Sequence, residues 1–165
     1  MNYAEARPQI MDGDIIEVLT AHSLFNWLTK LFTGRYVHTG IAFWLDGGLW
    51  MVEINGGKNH AIPLSQLDGT DFDVFYPPYR LSRAAIRKAA LESIRAKTSY
   101  GFLATIATGI NEFFGFNRFI HWRGQLDCTG YVVKILEAAG WSEHSYIVSP
   151  TRLSEMLIFR LPVRK

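Results

Sequence analysis

The amino-acid sequence predicts an α+β fold: a small antiparallel sheet or half-barrel packed against a helical subdomain. Three observations carry the prediction. Strand-like segments crowd into residues 14–76, the pair Pro77-Pro78 interrupts them, and helix-like segments follow over residues 82–139. Strands first and helices second is the order of a domain whose helices cover one side of an antiparallel sheet. A chain of 165 residues fits one domain spanning 1–165, and no linker, repeat or low-complexity tract divides it. With 48% apolar and 19% charged residues the chain can build a core and does not have a disordered composition.

The elements follow in order. Asp12-Gly13 is a turn signal, and residues 14–19 (DIIEVL) read as a short strand. Residues 23–32 (SLFNWLTKLF) set Leu24, Trp27, Leu28 and Leu31 at helical spacing, with Ser23 as N-cap and Thr33-Gly34 as the stop. The segment YVHTGIAFWLDGGLWMVEING reads as two strands joined at Asp46-Gly47, a dipeptide favoured in tight hairpin turns. Residues 61–64 and 72–76 are further short strands. Residues 82–96 form a helix with an Ala/Ile stripe, 100–116 an unusually apolar helical stretch interrupted by Gly109, and 129–139 a third helix closed by Gly140.

Composition excludes several functions. A formal charge of +2 gives no electrostatic reason for nucleic-acid binding. One cysteine cannot form an internal disulfide, so nothing indicates an oxidising compartment. The start, MNYAEARPQIMDGD, lacks the apolar run of a signal peptide, and no stretch is long and apolar enough to span a membrane. The expectation is a protein made in the cytoplasm; carriage in a virus particle or release by lysis would leave the same sequence. The glycine pairs lack the lysine and helix of a phosphate loop, and the histidines lack zinc-ligand spacing, so no metal or organic cofactor is expected. Arg80, Arg83, Arg87 and Lys88 read as a solvated helix face, and the basic tail over 160–165 carries no signal. Residues 100–122 are aromatic-rich and charge-poor. They read as a core helix with its connection, or alternatively as a segment that covers substrate or touches lipid.

The only cysteine, Cys128, lies where a loop becomes a helix, in GQLDCTGYVVKILEAAG. A thiol in the first helical turn feels the positive end of the macrodipole, which favours the nucleophilic thiolate. Asp127 stands at the N-cap position. Thr129-Gly130 keeps the space around the sulfur small, and amides of the helix end could hold an oxyanion. A lone cysteine also fits a buried small hydrophobe, so a partner must decide.

Among five histidines, His38 stands out. By period two, Tyr36, His38, Gly40, Ala42 and Trp44 share one strand face, and the small Gly40 and Ala42 leave room for a helix end beside the imidazole. If Asp46-Gly47 is a two-residue turn, Leu45 pairs with Gly48, Gly40 faces Glu53 and His38 faces Asn55. Glu53 diagonally, or Asn55 directly, could orient the ring as the third member of a triad. Glu53 is favoured, because a carboxylate also stabilises the imidazolium.

These segments resemble a known group. DCTGYVVKILEAAGW is similar to the nucleophile helix of NlpC-like cysteine peptidases. The order DGDIIEV, RYVHTGIAF, VEING, DCTGYVV and SPTRLSEMLIF, with histidine before cysteine, resembles the circularly permuted branch, the YiiX-like papain-fold hydrolases, which includes lecithin:retinol acyltransferase. The resemblance runs from residue 12 to about 159 and is thin between 77 and 123. It implies a permuted papain-like fold with Cys128 as nucleophile, His38 as base and Glu53 as polar third residue. It also places Tyr36 and Thr129 at the substrate or oxyanion pocket; Thr129 stands where many relatives have serine. The implied activity is hydrolysis of an amide bond, with a cell-wall (peptidoglycan) peptide as substrate. Two alternatives stay open: a lipid thioesterase or acyltransferase using residues 100–122, and a non-catalytic binding module of the same fold.

Overall fold

The computed structural model describes residues 1–20, 34–55, 58–96, 127–142 and 149–165. The helix expected over 23–32, the apolar stretch over 100–116, the wider segment 100–122, and His22, His121 and His144 lie outside the described residues.

Six described strands form one open sheet: β1 (Ile15–Val18), β2 (His38–Leu45), β3 (Gly48–Asn55), β4 (Lys58–Pro63), β5 (Phe72–Phe75) and β6 (Phe159–Val163). Their spatial order is β4-β3-β2-β1-β5-β6, and every neighbouring pair is antiparallel. The hairpin between β2 and β3 turns on Asp46 and Gly47, with φ of 50° and 75°. Two successive left-handed residues make the turn whose twist suits a two-residue hairpin. The register follows from it, with Leu45 opposite Gly48 and Ile41 opposite Val52.

The described helices are α1 (Tyr3–Ala6), α2 (Arg83–Arg95), α3 (Cys128–Ala138) and α4 (Pro150–Glu155). Local side-chain chemistry starts each of them. Asn2 and Glu5 form a capping box on α1. Ser82 Oγ accepts from the Ala85 N–H at 3.3 Å, and Ser149 Oγ from the Arg152 N–H at 3.2 Å. At the end of α3, Gly140 takes φ of 105°, and the Trp141 and Gly140 N–H groups donate back to Leu136 and Glu137. This is a Schellman motif, which needs a left-handed residue at Gly140.

Both faces of the sheet are covered. On one, Ile15, Ile41, Phe43, Val52 and Ile54 pack with Ile86 of α2 and Tyr131, Val132, Ile135 and Leu136 of α3. On the other, Ile16, Val18, Ala42, Met51 and Val74 pack with Tyr3, Ala6, Ile10 and Leu64. Two-sided burial is why β1 is buried at all four positions and lacks a polar face.

The basic groups behave differently from the sequence expectation. Arg83 of the supposed solvated face donates to Asp14 Oδ1 at 2.8 Å, and Arg87 to the Trp44 carbonyl at 3.2 Å, so half of that cluster ties α2 to the sheet. The tail is an edge strand. β6 tolerates Pro162 because an edge position can dispense with an N–H, and its Arg160 and the following Arg164 pair with the buried carboxylates Asp14 and Asp73. No described helix is long and apolar enough to cross a membrane.

Strict alternation over 36–44 does not hold. Tyr36 clusters with Ile41 and Phe43, whereas Val37 clusters with Ala42, so the phase slips between residues 37 and 41. Nor is the space beside Gly40 left for a helix end: a Cβ there would lie 2.6 Å from Met51 Cγ and 2.8 Å from the Val52 carbonyl oxygen. Gly40→Ala is expected to lower stability by about 1–3 kcal/mol in urea unfolding. In a Met51→Ala background the same substitution should cost less but still destabilise, since the Val52 backbone contact remains; no cost in that background would refute this account of the glycine.

Candidate functional site

Helix α3 lays its apolar stripe on β2 and β3, and this brings its N-terminus to the start of β2. Asp127 caps the helix in extended conformation, and its Oδ1 accepts from the Gly130 N–H at 2.7 Å. Cys128 is therefore the first helical residue, half-buried at the positive end of the helix. The imidazole of His38, the first residue of β2, lies near enough for Cys128 to act on its protonation.

The same imidazole meets a carboxylate. His38 Nε2 lies 2.6 Å from Glu53 Oε2, and the two side chains are 17% and 5% exposed. The pair is the diagonal one that the hairpin count allows, Glu53 falling opposite Gly40 when the β2–β3 register is extended by one residue. Asn55, the alternative orienting group, is exposed at the end of β3, opposite Lys58. Burial on its own would lower the His38 pKa. Hydrogen bonds and charge interactions with Cys128 and Glu53 outweigh it and raise the pKa to about 10. Burial would likewise raise the Glu53 pKa, but His38 and His60 together hold the carboxyl below its ordinary value.

Tyr36 and Thr129 occupy different surroundings. The Tyr36 hydroxyl donates to Asp73 Oδ2 at 2.7 Å and its ring meets Phe75 edge-on, so its side chain is anchored toward β5. Burial first, then the hydrogen bond and charge of Asp73, push the Tyr36 pKa far up. Thr129 is buried in the first turn of α3, and its hydroxyl has no hydrogen-bond partner among the described residues.

Two residues escaped the sequence reading. His60 of β4 pairs with Glu53 in register, and its Nε2 lies 3.1 Å from Glu53 Oε1. Glu17 of β1 is fully buried, opposite Thr39 on one side and Asp73 on the other. Neither of its carboxyl oxygens has a hydrogen-bond partner among the described residues. Burial raises its pKa well above the ordinary value. The nearby Thr39 hydroxyl and the His38 charge oppose the rise, while Cys128 and Asp73 add to it. The signal for His60 was the β3–β4 register; for Glu17 it was a carboxylate inside a strand that is apolar on both faces.

No protein-family model and no curated protein matches the chain. Among solved structures, the metalloprotein YiiX from Escherichia coli O157:H7 has a similar fold, with a TM-score of 0.59 and 17% identity over 95% of this chain and 89% of that one. Among the described residues here, no three His, Cys, Asp or Glu side chains are grouped to share a metal ion.

The unpartnered acid yields a signed prediction. With a folded-state pKa above the unfolded 4.5, Glu17 binds its proton more tightly in the native protein. Its contribution to stability is thus fully present below about pH 4.5 and is lost as pH rises toward the folded value. Glu17→Gln removes that loss. In denaturation series the variant should match wild type near pH 4 and gain on it progressively as the pH rises above 4.5. A difference that does not change with pH would contradict a neutral Glu17.

Proposed function

We propose that the chain, as one domain spanning 1–165, is a thiol hydrolase that cleaves an amide bond. Cys128 is the nucleophile, His38 the general base and acid, and Glu53 the group that orients and stabilises the imidazolium. The observation that supports this reading is the 2.6 Å contact of His38 Nε2 with the buried Glu53 carboxylate, with Cys128 at the helix N-terminus near enough to act on the same ring. Covalent catalysis needs nucleophile, base and orienting group in that order, and the reading assigns Cys128, His38 and Glu53 to it.

The chemistry follows from that order. With Nε2 held by Glu53, Nδ1 of His38 is the nitrogen left for the sulfur. His38 takes the thiol proton, and the thiolate attacks the carbonyl carbon to form a C–S bond. Backbone N–H groups in the first turn of α3 stabilise the oxyanion. Thr129 borders that turn; Tyr36, its hydroxyl given to Asp73, shapes the wall beside it. The imidazolium then returns the proton to the leaving nitrogen as the C–N bond breaks. A water molecule, deprotonated by His38, cleaves the thioester, and the acid product leaves.

The order of histidine strand before cysteine helix is consistent with a permuted papain-like arrangement, and the motif resemblance favours a cell-wall peptide as substrate. The lipid alternative drew on residues 100–122, so no described residue favours it. A line of three reactive groups in sequence also weighs against a pure binding module.

Alkylation tests the site. Cys128 should react with iodoacetamide near pH 6 at least about tenfold faster than free cysteine, because an imidazolium favours the thiolate. His38→Ala should remove the acceleration, and Cys128→Ala should abolish hydrolysis across a panel of cell-wall peptides, short peptides and acyl esters. Labelling no faster than free cysteine, and indifferent to His38→Ala, would exclude the proposal.

A further inference from the structure

Glu53 is shared by two histidines. Its Oε2 faces His38 Nε2 at 2.6 Å and its Oε1 faces His60 Nε2 at 3.1 Å. A carboxylate held at one oxygen can rotate about its last bond; one held at both oxygens cannot do so without losing a partner. The second hold comes from the adjacent strand, where Glu53 and His60 are cross-strand partners. His60 therefore braces the carboxylate from the side opposite the thiol.

The other nitrogen of His60 completes the geometry. Nδ1 lies 3.1 Å from the Lys58 carbonyl oxygen, so both ring nitrogens face acceptors. A neutral imidazole has one N–H and satisfies one of them; the protonated ring satisfies both. The side chain is 41% exposed, against 17% for His38, so His60 is the member of the group in contact with solvent. Among the described residues, the groups around it are few. Glu53 faces it from β3, Lys58 through its carbonyl from β4, and His38 across the carboxylate. Helix α2 reaches β4 through Asn59, whose side chain donates to the Ser93 and Ala96 carbonyls and brings no charge.

We propose that His60 is a positioning residue: it locks the Glu53 carboxylate toward His38 and so supports the reactivity of Cys128 from the neighbouring strand. The proposal rests on the reading of Cys128, His38 and Glu53 as a catalytic group and extends it by a fourth, solvent-facing member. His60 is one of the groups that hold the Glu53 carboxyl below its ordinary value, so it helps to keep the carboxylate ionised. Without His60, the carboxylate takes up a proton at higher pH and releases its hold on the imidazolium.

The test is the pH dependence of Cys128 alkylation by iodoacetamide in the full chain, with folding checked by circular dichroism. His60→Ala should lower the plateau rate about three- to tenfold, the value of one lost hydrogen bond, and move the acid limb of the profile to higher pH by about half a unit. His60→Gln keeps an N–H donor without the charge; it should restore the plateau and leave the acid limb displaced. A merely structural role would scale the rate equally at every pH. Profiles of both variants that superimpose on wild type, or that differ by one constant factor, overturn the proposal while the acceleration that depends on His38 still stands. Wild-type labelling no faster than free cysteine overturns both readings.

Discussion

The candidate site hangs on the pairing of β2 with β3. Asp46 and Gly47 turn the chain in two left-handed residues, which puts Leu45 opposite Gly48 and carries Glu53 to the neighbourhood of His38. A slip of one residue would send every side chain of β3 to the other face. Glu53 would then enter the apolar layer beneath α2 and α3, and Val52 and Ile54 would leave it. The apolar pattern of β3 and the chemistry of the site therefore demand the same register. The energy that enforces it comes from the core, not from the polar contacts: Val52 and Ile54 are fully buried, and the site inherits its geometry from them.

Three buried carboxylates lie along the centre of the sheet and differ in how they are satisfied. Asp14 meets Arg83 of α2 and Arg160 of β6; Asp73 meets Arg35, Arg164 and the Tyr36 hydroxyl. Each gathers cations from segments far apart in the chain and so ties the last strand and the second helix to the sheet. Removing one partner from such a group leaves a buried charge uncompensated, which is costly. Glu17 receives no such cation among the described residues, and a buried acid without a cation is most stable with its proton on. Neutrality suits its position, since an ionised carboxylate so near Cys128 would repel a thiolate.

What could be read from the sequence was local. The Asp127 cap depends on a side chain bonding an N–H three residues on, and Asp46-Gly47 depends on two backbone angles; each is decided within a few residues. Once the turn was read, counting reached Glu53. What could not be read depended on distant chain. β6 carries a proline and three basic residues in or beside it, and only its place at an edge beside two buried aspartates makes it a strand. Glu17 is the one polar residue of the strand IIEV, and its burial follows from the cover on both faces of the sheet, which distant segments supply. His60 follows Asn55-Gly56-Gly57, itself a turn signal, but it falls outside the strand expected over 61–64, and its pairing with Glu53 depends on β4 starting at Lys58. Tyr36 was misplaced because period two was carried past the slip between residues 37 and 41.

The identity of the third group follows from burial as well as reach. Glu53 is 5% exposed and sits between His38 and the more open His60, so its charge is shielded from water on both sides. In such a place a carboxylate interacts with an imidazolium far more strongly than it would in solvent, and two donors compensate its desolvation. Asn55 has neither advantage: it stands exposed at the strand end and would offer a neutral dipole that water competes for. An amide there could fix the ring's orientation but would do little to stabilise its charge. The raised proton affinity of His38 has the buried carboxylate as one of its sources, so the burial of β3 and the protonation of the imidazole are two consequences of one register.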